Sequence, residues 1–168
     1  MVELGKYTFS LDGKEIEKVL KVLTDVKEDI ESKNELFCKK LAERGVSIAK
    51  AEIADMSAID SGVLQASINF KRGDVIKDGC TYYVYTDCEY AKFIEFGTGI
   101  VGAQSPHPES TQYNWKYDIN NHGESGWWYM GNDGKYHWTK GMPSRPFMHN
   151  TKVQLNNLIS EVAKEVYG

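Results

Sequence analysis

Two short segments constrain this chain more than any other: Tyr90 to Gly99, YAKFIEFGTG, and Thr139 to Met148, TKGMPSRPFM. In the first, which also holds Tyr90, Ala91, Glu95 and Thr98, apolar Phe93, Ile94 and Phe96 form a short helical pattern that Gly97 and Gly99 bring to an end. Glycine suits that place because it takes the positive φ of a helix end or tight turn without steric cost. The second segment reverses the logic. Gly141 and Pro143 break the chain, Ser144 offers a cap, and Pro146 supplies a fixed φ where a missing N–H costs nothing, just before Phe147 opens an apolar stripe. One helix therefore ends at the first segment and another begins at the second. Neither segment contains a catalytic constellation.

The remaining chain can be read in order. Tyr7, Phe9 and Leu11 alternate with polar residues and predict a short edge strand. From Lys14, Ile16, Val19, Leu20, Leu23, Val26 and Ile30 recur at helical steps, with a break expected near Thr24. A second helix is expected from about Asn34 to Asp55. Its stripe of Phe37, Leu41, Ile48 and Ala51 is thin, and its small residues invite the close approach of another helix or another subunit. In IDSGVLQASINF, Ser61 and Gly62 start a turn, Val63 to Ala66 make one helical turn around Leu64, and Ser67 leads into a strand. A turn at Arg72 to Asp74 would return the chain through Val75 and Ile76. A further turn at Asp78–Gly79 leads to CTYYVYTD, giving two or three antiparallel strands.

Residues 102 to 125 are polar and too long for an ordinary connection, which marks a surface insertion or arm. In GWWYMGNDGKYHW, two aromatic runs holding Trp127, Trp128, Tyr129, Tyr136 and Trp138 flank Asn132-Asp133-Gly134, a strong hairpin signal. From Pro146 to about residue 166, Phe147, Leu155, Leu158, Ile159, Val162 and Val166 make a closing amphipathic helix.

Length, charge and cysteines bound the function. At 168 residues the chain is sized for one domain, 1–168, with a real core. The N-terminus has no basic region followed by an apolar run, and no stretch is long and apolar enough to span a bilayer. Neither a secretory leader nor a membrane partner is expected. A net charge of −4 argues against broad electrostatic capture of DNA. Cys38, Cys80 and Cys88 form an odd set without CxxC spacing, which favours free thiols in an intracellular protein.

Chemistry-bearing patterns are weak. His107, His122, His137 and His149 show no metal-ligand spacing, so no metal and no cofactor is expected. Ser61 or Cys88 as a nucleophile would need a base and an orienting acid that the sequence does not advertise, and GTG lacks the lysine of a phosphate loop. The expectation is that the protein is not an enzyme. Glu95 and Arg145 either pair, pinning the two segments together, or stand as separate solvated charges. The aromatic hairpin either stacks on a cell-wall glycan or choline-like ligand, or fills a core or subunit interface; the second reading is preferred because there is one copy of the motif.

In order and wording, SGVLQASI, YAKFIEFGTG and TKGMPSRPFM resemble a family of tail-completion or head–tail joining proteins of long-tailed double-stranded DNA bacteriophages and prophages. The resemblance covers roughly residues 34 to 166. The family typically has TG-x-L-x-x-SI, where this chain has Ser61, lacks a preceding proline and carries a longer 102–125 segment. The resemblance implies an α+β fold, with N-terminal helices and a C-terminal amphipathic helix packed on a mainly antiparallel β-sheet that carries a long loop and hairpin insertion. It also implies a non-enzymatic virion component in the tail or neck, assembled from subunits in the host cytoplasm. Such a subunit would form a homo-oligomeric ring at the head-proximal tail end, beside tail-tube, terminator and connector proteins, with DNA passing unread.

Overall fold

The structure, a computed structural model, describes residues 13–56, 62–75 and 79–168. Its longest element is α1, Gly13–Asp55, one unbroken helix of 43 residues where the pattern predicts two. Thr24, the expected break, stays helical with its hydroxyl donating back to Leu20 O at 2.9 Å, a bond that satisfies it inside a helix. The strand expected at Tyr7 to Leu11 and the turn residue Ser61 lie outside the described residues.

From Asn34 onward α1 is flanked on two sides. On one, the last helix, α5 (Phe147–Tyr167), runs antiparallel to it. Tyr167 Oη donates to Asn34 Oδ1 (2.6 Å) and packs on Phe37, Lys40 and Arg44 pair with Glu165, and Asn150 donates to Glu52 at the other end. On the other side lies an antiparallel ribbon of β1 (Asn69–Arg72) and β2 (Tyr82–Tyr85), in register from Asn69↔Tyr85 to Arg72↔Tyr82. The small residues Ala42, Gly45 and Ala49 are the buried positions that let both approach, Gly45 facing Val84 and Leu155. Of the thin stripe expected in the 34–55 region, Phe37, Leu41 and Ile48 are half-buried within the chain and Ala51 is exposed. Residues 13–33 of α1 extend beyond Tyr167.

The loop between β1 and β2 closes directly, Gly73 N donating to Thr81 O (2.8 Å). This ribbon has no third strand among the described residues, and 76–78 lie outside them. Cys38 of α1 and Cys80 of this loop are joined in a disulfide with Cα atoms 6.7 Å apart, while Cys88 is free. This overturns the expectation of three free thiols. The reason is long-range: Glu35 takes bidentate donation from Arg72 (2.8 and 3.0 Å) and a third bond from Tyr82 Oη (2.6 Å), drawing the loop onto the helix. Cross-linking positions 42 residues apart should stabilise the fold by about 2–4 kcal/mol. Cys38→Ser is therefore expected to lower the melting temperature by roughly 5–15 °C.

The Arg72 guanidinium, with help from the Tyr82 hydroxyl, holds the Glu35 carboxyl below its usual range. A carboxyl lowered on folding binds protons more readily in the unfolded chain. Its contribution is present above the unfolded value of about 4.3 and is lost as pH falls through the folded value. Melting followed from neutral to acid pH should accordingly show a drop beginning near pH ~4, shallower in Glu35→Gln.

The core gathers all three signature segments. Leu64 from the short helix α2 (Val63–Ser67), Ile68, Ala91 from α3 (Ala91–Phe96) and Phe147 pack with Ala49 and Ile53 of α1. The remaining elements are α4 (Gly99–Gln104), a 3-10 turn at Gly123–Ser125, an antiparallel hairpin of β3 (Trp127–Met130) and β4 (Tyr136–Thr139), and the short β5 (Gly141–Met142). The fold is α+β, with N- and C-terminal helices packed on antiparallel strands and a loop and hairpin insertion between them. Among the described residues no helix is long and apolar enough to cross a membrane.

Candidate functional site

The two signature segments meet through Glu95, by neither an ion pair with Arg145 nor a solvated carboxylate. Glu95, at the last turn of α3, does not pair with Arg145. Its carboxylate caps the N-terminus of α5, accepting from Met148 N at 2.9 Å and His149 N at 3.0 Å. Those N–H groups have no partner within their own helix, and the helix dipole favours an anion there. The position flanking α5 is Pro146, which has no side-chain donor or acceptor to offer, so the cap comes from elsewhere in the chain. Ser144 is not a cap either. It donates to Glu95 O at 2.5 Å, while Arg145 contributes its backbone N–H to Ile94 O at 2.8 Å.

Glu95 is buried, and His107 completes its shell, with Nε2 3.0 Å from Oε1. His107 Nδ1 accepts from Glu109 N (3.0 Å), so the proton of the neutral ring sits on Nε2 and is donated to Glu95. Phe96 packs on the ring at 4.4 Å and stacks on Trp115 at 4.9 Å, whose indole N–H donates to Gly97 O. The 102–125 segment thus folds back over α3. Nothing in the spacing announces His107, which lies in a polar stretch. The flanking Pro106 and Pro108 are the one signal of an anchored turn.

Beyond Gly97 the segments run side by side. Thr98 pairs with Met142 and Gly99 with Gly141 as antiparallel bridges, Val101 N donates to Lys140 O (3.3 Å), and Gly99 N donates to Tyr117 O (2.7 Å). A side chain at Gly99 would strike the Lys140 carbonyl and one at Gly141 the Thr98 carbonyl. Both residues have positive φ, 61° and 100°. Gly99 starts the short helix α4 rather than ending the pattern. Pro143 follows β5, and Phe147 is core. Gly62 supplies the positive φ (75°) that precedes α2, and Ser67 donates to Leu64 O (2.8 Å) while bonded to Thr86.

This platform carries the hairpin. Trp127 stacks on His122 at 4.5 Å and faces inward, whereas Trp128 is 66% and Tyr136 68% exposed, beside exposed Met130 and Trp138. Trp128 stands opposite Trp138 across the strands. The aromatics therefore do not fill the core. Between the hairpin and α3 lies an open cavity of about 1230 Å³, lined among others by Tyr90, Phe93, Trp115, Trp127, Tyr129 and Arg145. Among the described residues no group of three or more His, Cys, Asp or Glu could hold a metal ion.

An α+β body whose signature residues act as caps, close backbone contacts and core, and which carries an exposed aromatic patch, has the features of a structural or assembly protein. The chain belongs to the family described as "Bacteriophage HK97-gp10, putative tail-component", whose model matches residues 14–97, half of its length. The match runs from α1 to Gly97; the 139–148 segment, the hairpin and α5 lie beyond it. No curated protein and no solved structure matches the chain.

Proposed function

We propose that the protein is a non-enzymatic subunit of the bacteriophage tail, forming a ring at the head-proximal end that completes the tail or joins it to the head. The observation that carries this reading is the hairpin: an apolar ridge of Trp128, Met130, Tyr136 and Trp138, standing beside an open cavity. Head-to-tail contacts that close into a ring require two unlike surfaces on each subunit, and a ridge beside a cavity meets that need. Aromatic side chains and methionine are the residues favoured at such contacts. The partners are further copies of this chain, the tail tube or its terminator, and the head connector. An acidic subunit leaves passing DNA without a phosphate grip.

Mixing purified protein with heads and tails from particles lacking it tests this directly. Wild type should restore joined, infectious particles, and Trp128→Ala with Trp138→Ala should lower the yield at least ~10-fold, the effect of about 1.4 kcal/mol at a contact. The melting temperature should change little, since both side chains are exposed. Full restoration by the double variant would exclude the hairpin as the contact. The cavity's aromatic lining also favours a second reading, a sugar or quaternary-ammonium site. Saturable binding of choline or a cell-wall glycan fragment in calorimetry would support it.

A further inference from the structure

We propose that two copies of this chain associate through the projecting half of α1, their helices pairing antiparallel along residues 16–33. The segment 13–33 extends about 30 Å at 1.5 Å per residue, beyond Tyr167 of α5. It displays Ile16, Val19, Leu23, Val26 and Ile30 at alternating steps of three and four, the spacing of a coiled-coil seam rather than of a helix lying on a sheet. Leu20, Leu23 and Ile30 are 57%, 58% and 50% exposed. Burying this seam against a second helix would add the packing from which helices in proteins draw most of their stability.

Its own fold shows what shape covers it. The seven-residue series Ile16, Leu23, Ile30 continues through Phe37 and Arg44, and those two meet Tyr167 and Glu165 of α5. The seam is thus the bare continuation of a face that the antiparallel helix α5 covers at Phe37, Lys40 and Arg44. A second copy of the arm supplies another helix of that kind. Parallel arms are excluded, because each chain's α5 occupies that face at Phe37, Lys40 and Arg44, directly beyond the arm, and the two would collide.

Charge selects the register. With the arms fully overlapped, Val19 faces Ile30, Leu23 faces Val26 and Ile16 faces the stem of Lys33 in the second copy. Leu20 then flanks Lys27 and Val22 flanks Asp29, so no like charges oppose one another. Sliding by one heptad would set Glu15 against Asp29. Lys27–Glu31 and Asp29–Lys33 pairs within each helix balance the flanks further. The contact lies on the arm, clear of the hairpin, and stands or falls independently of the role proposed above.

Sedimentation velocity of the full chain at about 100 µM, which populates any contact with a lower Kd, is expected to show twice the 19.0 kDa chain mass. Leu23→Glu should restore the monomer with the thermal melt of the body retained, and Lys21→Glu, on the opposite face, should leave the dimer unchanged. A monomeric wild type, or a dimer indifferent to Leu23→Glu, would overturn the proposal. In a Cys88→Ser background, differently tagged Leu23→Cys and Val26→Cys chains should cross-link to each other. Predominant cross-linking of each variant to itself would overturn the antiparallel register.

Discussion

Replacing Glu95 with alanine should destabilise the fold by about 3–5 kcal/mol, a large fraction of what a domain of this size possesses. One carboxylate serves three donors: the N–H groups of Met148 and His149 and the ring N–H of His107. Alanine orphans all three in a site where Glu95 is 7% and His107 3% exposed, so water cannot readily replace the oxygens. It also removes the anion at the N-terminus of a 21-residue helix. Urea unfolding at neutral pH measures the loss directly. Glu95→Gln keeps the shape and one acceptor and should cost less than alanine. Because Glu95 and His107 share one network, the loss in Glu95→Ala combined with His107→Ala should fall short of the sum of the single losses.

Gly141→Ala should be comparably damaging, at more than about 3 kcal/mol, for a reason that involves no hydrogen-bonding side chain. At φ 100° an L-residue is strained, and its Cβ would drive into the Thr98 carbonyl and approach Gly99 Cα to 2.8 Å. Neither neighbour is a flexible side-chain tip, so the two backbones must separate. The Thr98–Met142 and Gly99–Gly141 bridges should be lost, freeing the base of the hairpin. Hydrogen exchange should show this as lost protection at Val101, whose N–H is held by Lys140 O, with protection in α1 retained. Gly134→Ala is the control. That glycine also has positive φ, 72°, but open space around it, so only the strain of roughly 1–2 kcal/mol applies.

These two residues show which part of the site could be read from sequence. Signals that act locally were legible. Pro146 and the stripe behind it placed the last helix at about 146–166, against Phe147–Tyr167 observed, and Asn132-Asp133-Gly134 marked the tip of a hairpin whose strands form where expected. YAKFIEF is a helix that ends at Gly97. Contacts that cross the chain were not legible, because no local rule encodes them. Glu95 does link the two segments, but to the backbone of α5 instead of to Arg145. His107 reaches it from a stretch whose composition reads as surface. Cys38 meets Cys80 because Glu35 gathers Arg72 and Tyr82 on the same face of α1. The break expected near Thr24 failed for the opposite reason: a β-branched residue with its hydroxyl bonded to Leu20 O is compatible with a long helix.

The consequence for function is that the signature residues build and hold a surface. Glu95, Gly99, Gly141 and Phe147 fix where α5 and the hairpin stand, and the hairpin presents the exposed aromatics that the proposed assembly role uses. Defects at the first group should therefore appear as instability, and defects at Trp128 and Trp138 as failed assembly by a folded protein.

Electron microscopy of particles from an induced lysogen or infected culture in which only this gene is deleted tests the assembly role most directly. The account predicts genome-filled heads lying beside unattached tails, corrected by the wild-type gene supplied in trans. Normal, infectious, tailed particles from the deletion would contradict it.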